Sequence, residues 1–249
     1  MAQARGMDQL KSTRYQNRCI GITGAGGTLG RALTRCFRVS GAEVVGLTHR
    51  TPPEVQDDEG PHRWISWQCG EETALDADLA QLDVLVLNHG INPKGGQSID
   101  DVNRALEINA LSSWRLMQRY EDISRRNVRE KPMEIWVNTS EAEIQPAVSP
   151  VYEISKRLLG QLVSLRGATR DPTERDQLII RKIVLGPFRS DLNPIGIMDA
   201  NWVADQVVWQ AGWGLRLIIV TPNPLTYLLM PITELGRRAY SQILNHPGP

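Results

Sequence analysis

The sequence is short of the residues that would tie it to several common architectures. Its three cysteines, Cys19, Cys36 and Cys69, are odd in number and lack metal-ligand spacing. They read as reduced thiols, so neither a disulfide framework nor a metal site is expected. Neither charge is in excess, with 28 Lys+Arg against 28 Asp+Glu, which argues against a dedicated nucleic-acid binder. No run of about 18 apolar residues occurs, so no membrane-spanning helix is expected. The start, MAQARGMDQLKSTRYQN, lacks the apolar segment of a secretory signal, and the expectation is a cytoplasmic protein. Lysine is scarce as well: five residues, against 23 arginines.

What is present suits a soluble α/β chain. Of 249 residues, 41% are hydrophobic, enough for one large core. Residues 1–17 are polar and without period, and read as a flexible arm. Residues 18–249 read as a single domain. Strand patterns at Cys19–Thr23, Glu43–Thr48, Arg63–Gln68, Asp83–Asn88, Glu134–Asn138, Leu178–Leu185 and Leu215–Val220 alternate with helical ones. The helices fall at Leu29–Val39, Asp100–Tyr120, Val151–Arg166 and Asn201–Ala211. Strands alternating with helices imply right-handed crossovers and a Rossmann-like, doubly wound, seven-stranded parallel sheet with helices on both faces.

The first strand runs into Thr23-Gly24-Ala25-Gly26-Gly27-Thr28-Leu29-Gly30 and then a helix. Gly24 allows a tight turn, Gly27 lets backbone approach a pyrophosphate, and Gly30 allows close helix–strand packing. The helix start offers unpaired N–H groups to anionic oxygens. At the end of the second strand, a carboxylate would bond a ribose 2′-hydroxyl and repel a 2′-phosphate. Thr48-His49-Arg50 stands there instead, which favours NADP(H), with NAD(H) as the other choice.

Tyr152 and Lys156 lie four apart in Y-E-I-S-K at a helix start, on one helix face. Upstream are Ser140, at the end of the fifth strand, and Asn109, inside the long helix before it. Asn88-His89-Gly90 ends the fourth strand.

The pieces TGAGGTLG, LNHG, INA, NTS, YEISK and LGPFRSDL, in that order, resemble the short-chain dehydrogenase/reductase family over residues 18–220. The likeness is greatest to the dehydrogenase module of proteins described as bifunctional sterol desaturase/short-chain dehydrogenases. The resemblance implies that Tyr152 is the general acid/base, that Lys156 lowers its pKa and bonds the nicotinamide ribose, and that Ser140 bonds the substrate oxygen. It implies a water held by Asn109, linking Lys156 to solvent. Thr23, Gly24, Gly26, Gly27, Thr28, Leu29, Gly30, Thr48, His49, Arg50, Asn88, His89 and Gly90 would contact the cofactor, with Gly186 and Ser190 near the nicotinamide carboxamide. Bringing a tyrosine from pKa ~10 to near 7 takes about 4 kcal/mol. A cation about 5 Å away at an effective dielectric near 20 offers ~3 kcal/mol, and the oxidised cofactor adds a second positive charge. Thr139 is the competing substrate donor, because the Ser140–Tyr152 interval is one residue shorter than usual.

Only DLNPIGIMDA separates Ser190 from the next helix, where this family often carries a long lid. An open site follows, suited to a hydrophobic, lipid-derived carbonyl or alcohol substrate. Leu225, Tyr227, Leu228, Leu229, Met230 and Ile232 form an apolar patch that either packs on protein or meets a membrane surface. The leading expectation is an NADP(H)-dependent oxidoreductase, a homodimer or homotetramer. The alternatives are a non-catalytic dinucleotide sensor or scaffold, and a sugar-nucleotide epimerase or dehydratase using the same Tyr and Lys.

Overall fold

The computed structural model describes residues 14–52, 58–169 and 172–244. Strands β1 (Cys19–Thr23), β2 (Glu43–Thr48), β3 (Arg63–Ser66), β4 (Val84–Leu87), β5 (Met133–Ser140), β6 (Leu178–Leu185) and β7 (Leu217–Val220) form one sheet. It is parallel throughout, ordered β3-β2-β1-β4-β5-β6-β7. The expected Rossmann-like architecture is therefore present. Strand order reverses between β1 and β4, and the crevice beyond their carboxyl ends is where such sheets take ligands.

The helices are α1 (Thr28–Val39), α2 (Asp76–Leu79), α3 (Ile99–Leu106), α4 (Ser112–Arg126), α5 (Pro150–Thr169), α6 (Pro172–Gln177), α7 (Ala200–Gly212) and α8 (Pro224–Leu244). Alternation along β4 shows why both faces need covering. Val84 and Val86 join the core under α1 and α7, while Leu85 and Leu87 join the core under α4 and α5. A strand buried on both sides reads as a continuous apolar run, hence VLVL.

Two sequence expectations need correction. The single helix over Asp100–Tyr120 is two helices joined by a π-helical turn at Glu107–Leu111. Ser98 starts α3 with a capping box: its Oγ accepts from the Asp101 N–H, and the Asp101 carboxylate accepts from the Ser98 N–H. The arm expected over residues 1–17 is not loose at its end. Tyr15 is 1% exposed and packs edge-on to Phe37 and Trp136, with centroids 5.2 and 5.9 Å away. Residues 1–13 of that arm lie outside the described residues. The apolar C-terminal stretch, to which the sequence assigns no element, is one long helix, α8, which buries Met230 against Val184 and Ile219 and packs beside α5.

At the amino end of the sheet, buried Glu134 takes the Arg18 guanidinium on one oxygen and that of Arg181 on the other, both at 2.9 Å. This joins β1, β5 and β6. Among the described residues, no helix is long and apolar enough to cross a membrane.

Candidate functional site

The β1–α1 loop is built as a dinucleotide cradle. Gly24 adopts φ +64°, and its carbonyl accepts from the Gly27 N–H at 3.0 Å. A Cβ on Gly30 would stand 2.2 Å from the Gly24 oxygen, so only glycine lets α1 seat this close to the turn. The α1 N-terminus carries no side-chain cap and no acidic residue in its first turn. Its orphan N–H groups are thus available to an anion. Arg31 donates to the Gly26 carbonyl at 2.7 Å, which sets a permanent cation beside the loop. A cavity of about 490 Å³ opens next to it, lined by Thr28, Arg31, Arg35, Arg189, Ser190 and Asp199 among others. These residues fit a pyrophosphate-bearing nucleotide.

Several residues expected to touch the cofactor also hold the loop. Thr23 is buried in the sheet: its hydroxyl donates to the Val86 carbonyl and accepts from the Asn88 and His89 N–H groups. Leu29 is buried in the core, so only its backbone faces the loop. Asn88 bridges the Asn138 amide at 2.8 Å and the Gly24 carbonyl at 3.4 Å. The His89 ring bonds Thr23 Oγ1 at 2.8 Å and stands edge-on to Trp67. Burial pushes its imidazole down to about 3, and the positive charge of Lys156 acts in the same direction. His89 is therefore a neutral packing residue whose backbone, not its ring, borders Gly24. At the end of β2, the Thr48 hydroxyl accepts from the Arg50 N–H at 3.1 Å, leaving His49 and Arg50 exposed beyond the strand.

Tyr152, Lys156 and Ser140 do converge. Lys156 Nζ lies 5.9 Å from the Tyr152 ring centroid and donates to the Asn138 carbonyl at 3.2 Å. Ser140 Oγ accepts from the Ala142 N–H at 3.2 Å, and its hydroxyl acts on the Tyr152 phenol. The Thr139 hydroxyl points to the opposite face and donates to the Ile183 carbonyl, which removes it as the substrate donor. Burial pushes the Tyr152 phenol upward, the Ser140 hydroxyl pulls it down, and the Glu141 carboxylate pushes it up. Burial pulls Lys156 down to about 8, opposed by the negative charge of Glu143.

Asn109 sits in the π turn, fully buried, with both amide N–H groups bonded. Nδ2 donates to the Ile91 carbonyl and to Ser155 Oγ, and Oδ1 accepts from the Ile91 N–H at 2.7 Å. Three of the four hydrogen bonds open to its amide thus fix the β4 loop against α5. Gly90 lies between Asn109 and Lys156, where a Cβ would be a tight fit, 3.0 Å from Asn109 Oδ1. Gly186 extends the β6–β7 pairing through its N–H to the Val220 carbonyl, and a Cβ there would meet Thr221 at 2.4 Å. Ser190 closes a small turn with Asn193 and borders the cavity beside Thr28.

Sequence reasoning missed Asn138, Ser155 and Glu143. Period-2 alternation in Asn138-Thr139-Ser140 puts Asn138 on the Ser140 face, a usable signal. Glu143 could have been sought from Lys182, because a cation inside a doubly covered strand needs a buried partner.

Fold and glycine loop together define a Rossmann-type α/β chain. Residues 20–135 match the model of the NAD dependent epimerase/dehydratase family. The chain is 42% identical over 219 residues to a monoglucosyldiacylglycerol epimerase of Synechocystis sp., covering 86% of this chain and 52% of that protein. It thus spans about half that relative's length. Among solved structures, it resembles an aldohexose dehydrogenase of Thermoplasma acidophilum (TM-score 0.69, 17% identity, 84% of this chain and 94% of the other). It also resembles a dehydrogenase described as Cj0485 (TM-score 0.67, 14% identity, 85% and 94%). At these identities the structural likeness concerns the fold.

Proposed function

We propose that this chain is a nicotinamide-dependent epimerase acting on the sugar headgroup of a glycolipid. The observation that carries the reading is the 42% identity, across 86% of the chain, to a protein named for epimerising a glucosyl lipid. The complete Ser140–Tyr152–Lys156 set supports catalysis over a sensor or scaffold role. The same three residues suit net carbonyl reduction, and the relative tips the balance to the redox-neutral course. A sugar-nucleotide substrate has less support, since the relative's name points to a lipid-borne sugar.

Gly24, Gly27, Gly30 and the α1 N-terminus would hold the pyrophosphate, with Lys156 at the nicotinamide ribose. When bound, the nicotinamide supplies a reversible hydride sink. Tyr152 Oη takes the carbinol proton as the sugar becomes a ketone, and returns it when the alcohol re-forms with inverted configuration. Ser140 bonds the same oxygen throughout, and the Lys156 ammonium stabilises the phenolate. Protons and hydride balance over the cycle, so no cofactor is consumed. Exposed His49 and Arg50 favour the 2′-phosphorylated dinucleotide.

A lipid-borne substrate also suits the outside of α8. Thr226, Met230 and Glu234 face inward, while Leu225, Leu228, Leu229, Ile232 and Leu235 stand exposed along one stripe. The helix start is tied to the site rim, where Gln145 Nε2 donates to Thr226 Oγ1 and Thr221 Oγ1 donates to Glu141. A lipid whose headgroup entered the crevice would have its chains beside this stripe.

The test is incubation with monoglucosyl diacylglycerol and NAD⁺ or NADP⁺, followed by headgroup analysis. Appearance of an epimeric sugar without net cofactor reduction supports the reading. Stoichiometric cofactor reduction with accumulation of a ketone would replace it with a dehydrogenase.

A further inference from the structure

A second cavity, of about 150 Å³, opens between the far end of α5, α6, the start of β7 and α8. That is well above the ~15 Å³ that one water needs. Gly167, on its wall, lies about 22 Å along α5 from Tyr152 at a rise of 1.5 Å per residue, so the hollow is separate from the catalytic crevice. Arg175 of α6, Arg216 before β7 and Arg238 of α8 all line it.

Charge in this hollow is lopsided, although the chain as a whole is neutral. Glu234 is the one carboxylate lining it among the described residues, and it is already paired, to Lys182 at 2.7 Å and to Arg237 at 3.0 Å. Lys182 is held in turn by Glu143 at 2.6 Å. Arg175, Arg216 and Arg238 take part in no ion pair among the described residues. Other arginines around the sheet are matched: Arg115 by Glu72, Arg119 by Asp76 and Arg166 by Glu121. Arg175 Nη2 donates to the Ala168 carbonyl at 3.3 Å, as a basic residue at a helix end often does. Its Nε, however, is buried with no hydrogen-bond partner. A donor shut away from water and left open is costly, and capping of α5 does not account for it.

Gly167 keeps the hollow open. A Cβ there would meet nothing within 4 Å, so no neighbour demands a glycine, and glycine is a poorer helix former than alanine. Space, three unmatched guanidiniums and a buried open donor thus coincide.

We propose that this hollow is a second anion site, in which Arg175, Arg216 and Arg238 hold a phosphate group. Guanidinium forks match the oxygens of a phosphate and shed water more readily than an ammonium does. Arg175 Nε–H is the buried donor that such an anion would satisfy. Two sources carry this chemistry. Free phosphate enters from water, whereas a phospholipid headgroup would arrive along α8, where exposed Leu235 and Arg238 are three positions apart on one face. The proposal goes beyond the epimerase reading and does not depend on it.

The test is a calorimetric titration of inorganic phosphate into the full chain saturated with NADP⁺, so that the glycine loop is occupied. In parallel, the chain is sedimented with phosphatidylcholine vesicles, with and without phosphatidylglycerol. Gly167→Leu fills the hollow and leaves every charge in place, while Arg175→Ala with Arg216→Ala removes two of the three cations. One-to-one phosphate binding, or a preference for the phosphatidylglycerol vesicles, is expected in the unaltered chain. Either falls by about tenfold or more in both variants, as charge-assisted hydrogen bonds are lost. Binding of phosphate supports a free anion as the source, and binding of the anionic vesicles alone supports a lipid headgroup. Should Gly167→Leu fail to fold, Arg216→Ala alone, at an exposed side chain, carries the same expected loss. No binding of either probe, or binding undiminished in the folded variants, overturns the proposal. Dinucleotide affinity stays unchanged throughout, which keeps the result distinct from failure of the epimerase reading.

Discussion

Lys156 Nζ and the Tyr152 ring stand 5.9 Å apart on consecutive turns of α5, with the lysine anchored on the Asn138 carbonyl. This geometry keeps a cation beside the phenol within a site closed enough to push the phenol upward and the ammonium down. The phenolate is formed against burial, and a positively charged partner is what makes it reachable.

Tyr152→Phe removes the hydroxyl while keeping the ring that packs over Lys156. Turnover falls by ~10²–10⁴-fold, the usual worth of a positioned general acid/base. Dinucleotide affinity, measured by calorimetric titration, stays within about threefold, because the phosphate cradle is elsewhere. Retained turnover would remove Tyr152 from the proton chemistry.

Arg50 is the exposed cation beyond β2, where a carboxylate would select NAD(H). Arg50→Asp reverses the preference, costing NADPH about tenfold or more in affinity and sparing NADH. Parallel fluorescence titrations with both cofactors check this. An unchanged ratio would place 2′-phosphate recognition elsewhere.

His89 makes the fold sensitive to acid. Its imidazole is held down to about 3 by burial, against ~6.5 in the unfolded chain. Between those values the unfolded state takes up a proton that the folded state refuses. Stability contributed by neutral His89 is therefore complete above pH ~6.5 and lost as pH falls toward 3. His89→Gln flattens this part of the stability–pH curve, read by urea denaturation at pH 7.5 and 5. An identical slope in the variant would contradict the assignment of a neutral histidine.

The stripe on α8 is expected to meet lipid. The chain co-sediments with vesicles containing monoglucosyl diacylglycerol, and Leu228→Glu with Ile232→Glu abolishes this without lowering the melting temperature. Loss of self-association in the variant, with no vesicle binding by either protein, would assign the stripe to a contact between copies.

Much of this was legible in the sequence, for reasons that differ by residue. The glycine loop is local: Gly24, Gly27 and Gly30 are spaced by the turn itself, so their roles can be read without the fold. Tyr152 and Lys156 share a face by helix geometry alone. The strands carried their own signal in runs such as VLVL. The π turn at Asn109 was hidden because a single i→i+5 turn inside a helix carries no residue signature of its own. The helix α8 was hidden by Pro224 and Pro231, yet Pro224 falls in the first turn, where no N–H is needed. Pro231 is exposed and accommodated within the helix. The Glu143–Lys182–Glu234 cluster joins three elements separated by 39 and 52 positions, and such pairings exist only once the sheet is built.

The most direct measurement follows an isotope at the epimerised carbon. Glucosyl diacylglycerol deuterated at that carbinol position is incubated with the chain and oxidised dinucleotide in ordinary water, and the product headgroup is examined by mass spectrometry and NMR. Hydride that leaves and returns within one site gives an inverted sugar that retains its deuterium, with no label passed to solvent. Washing out of the deuterium, or accumulation of a ketone with reduced cofactor, would contradict a redox-neutral inversion at Tyr152.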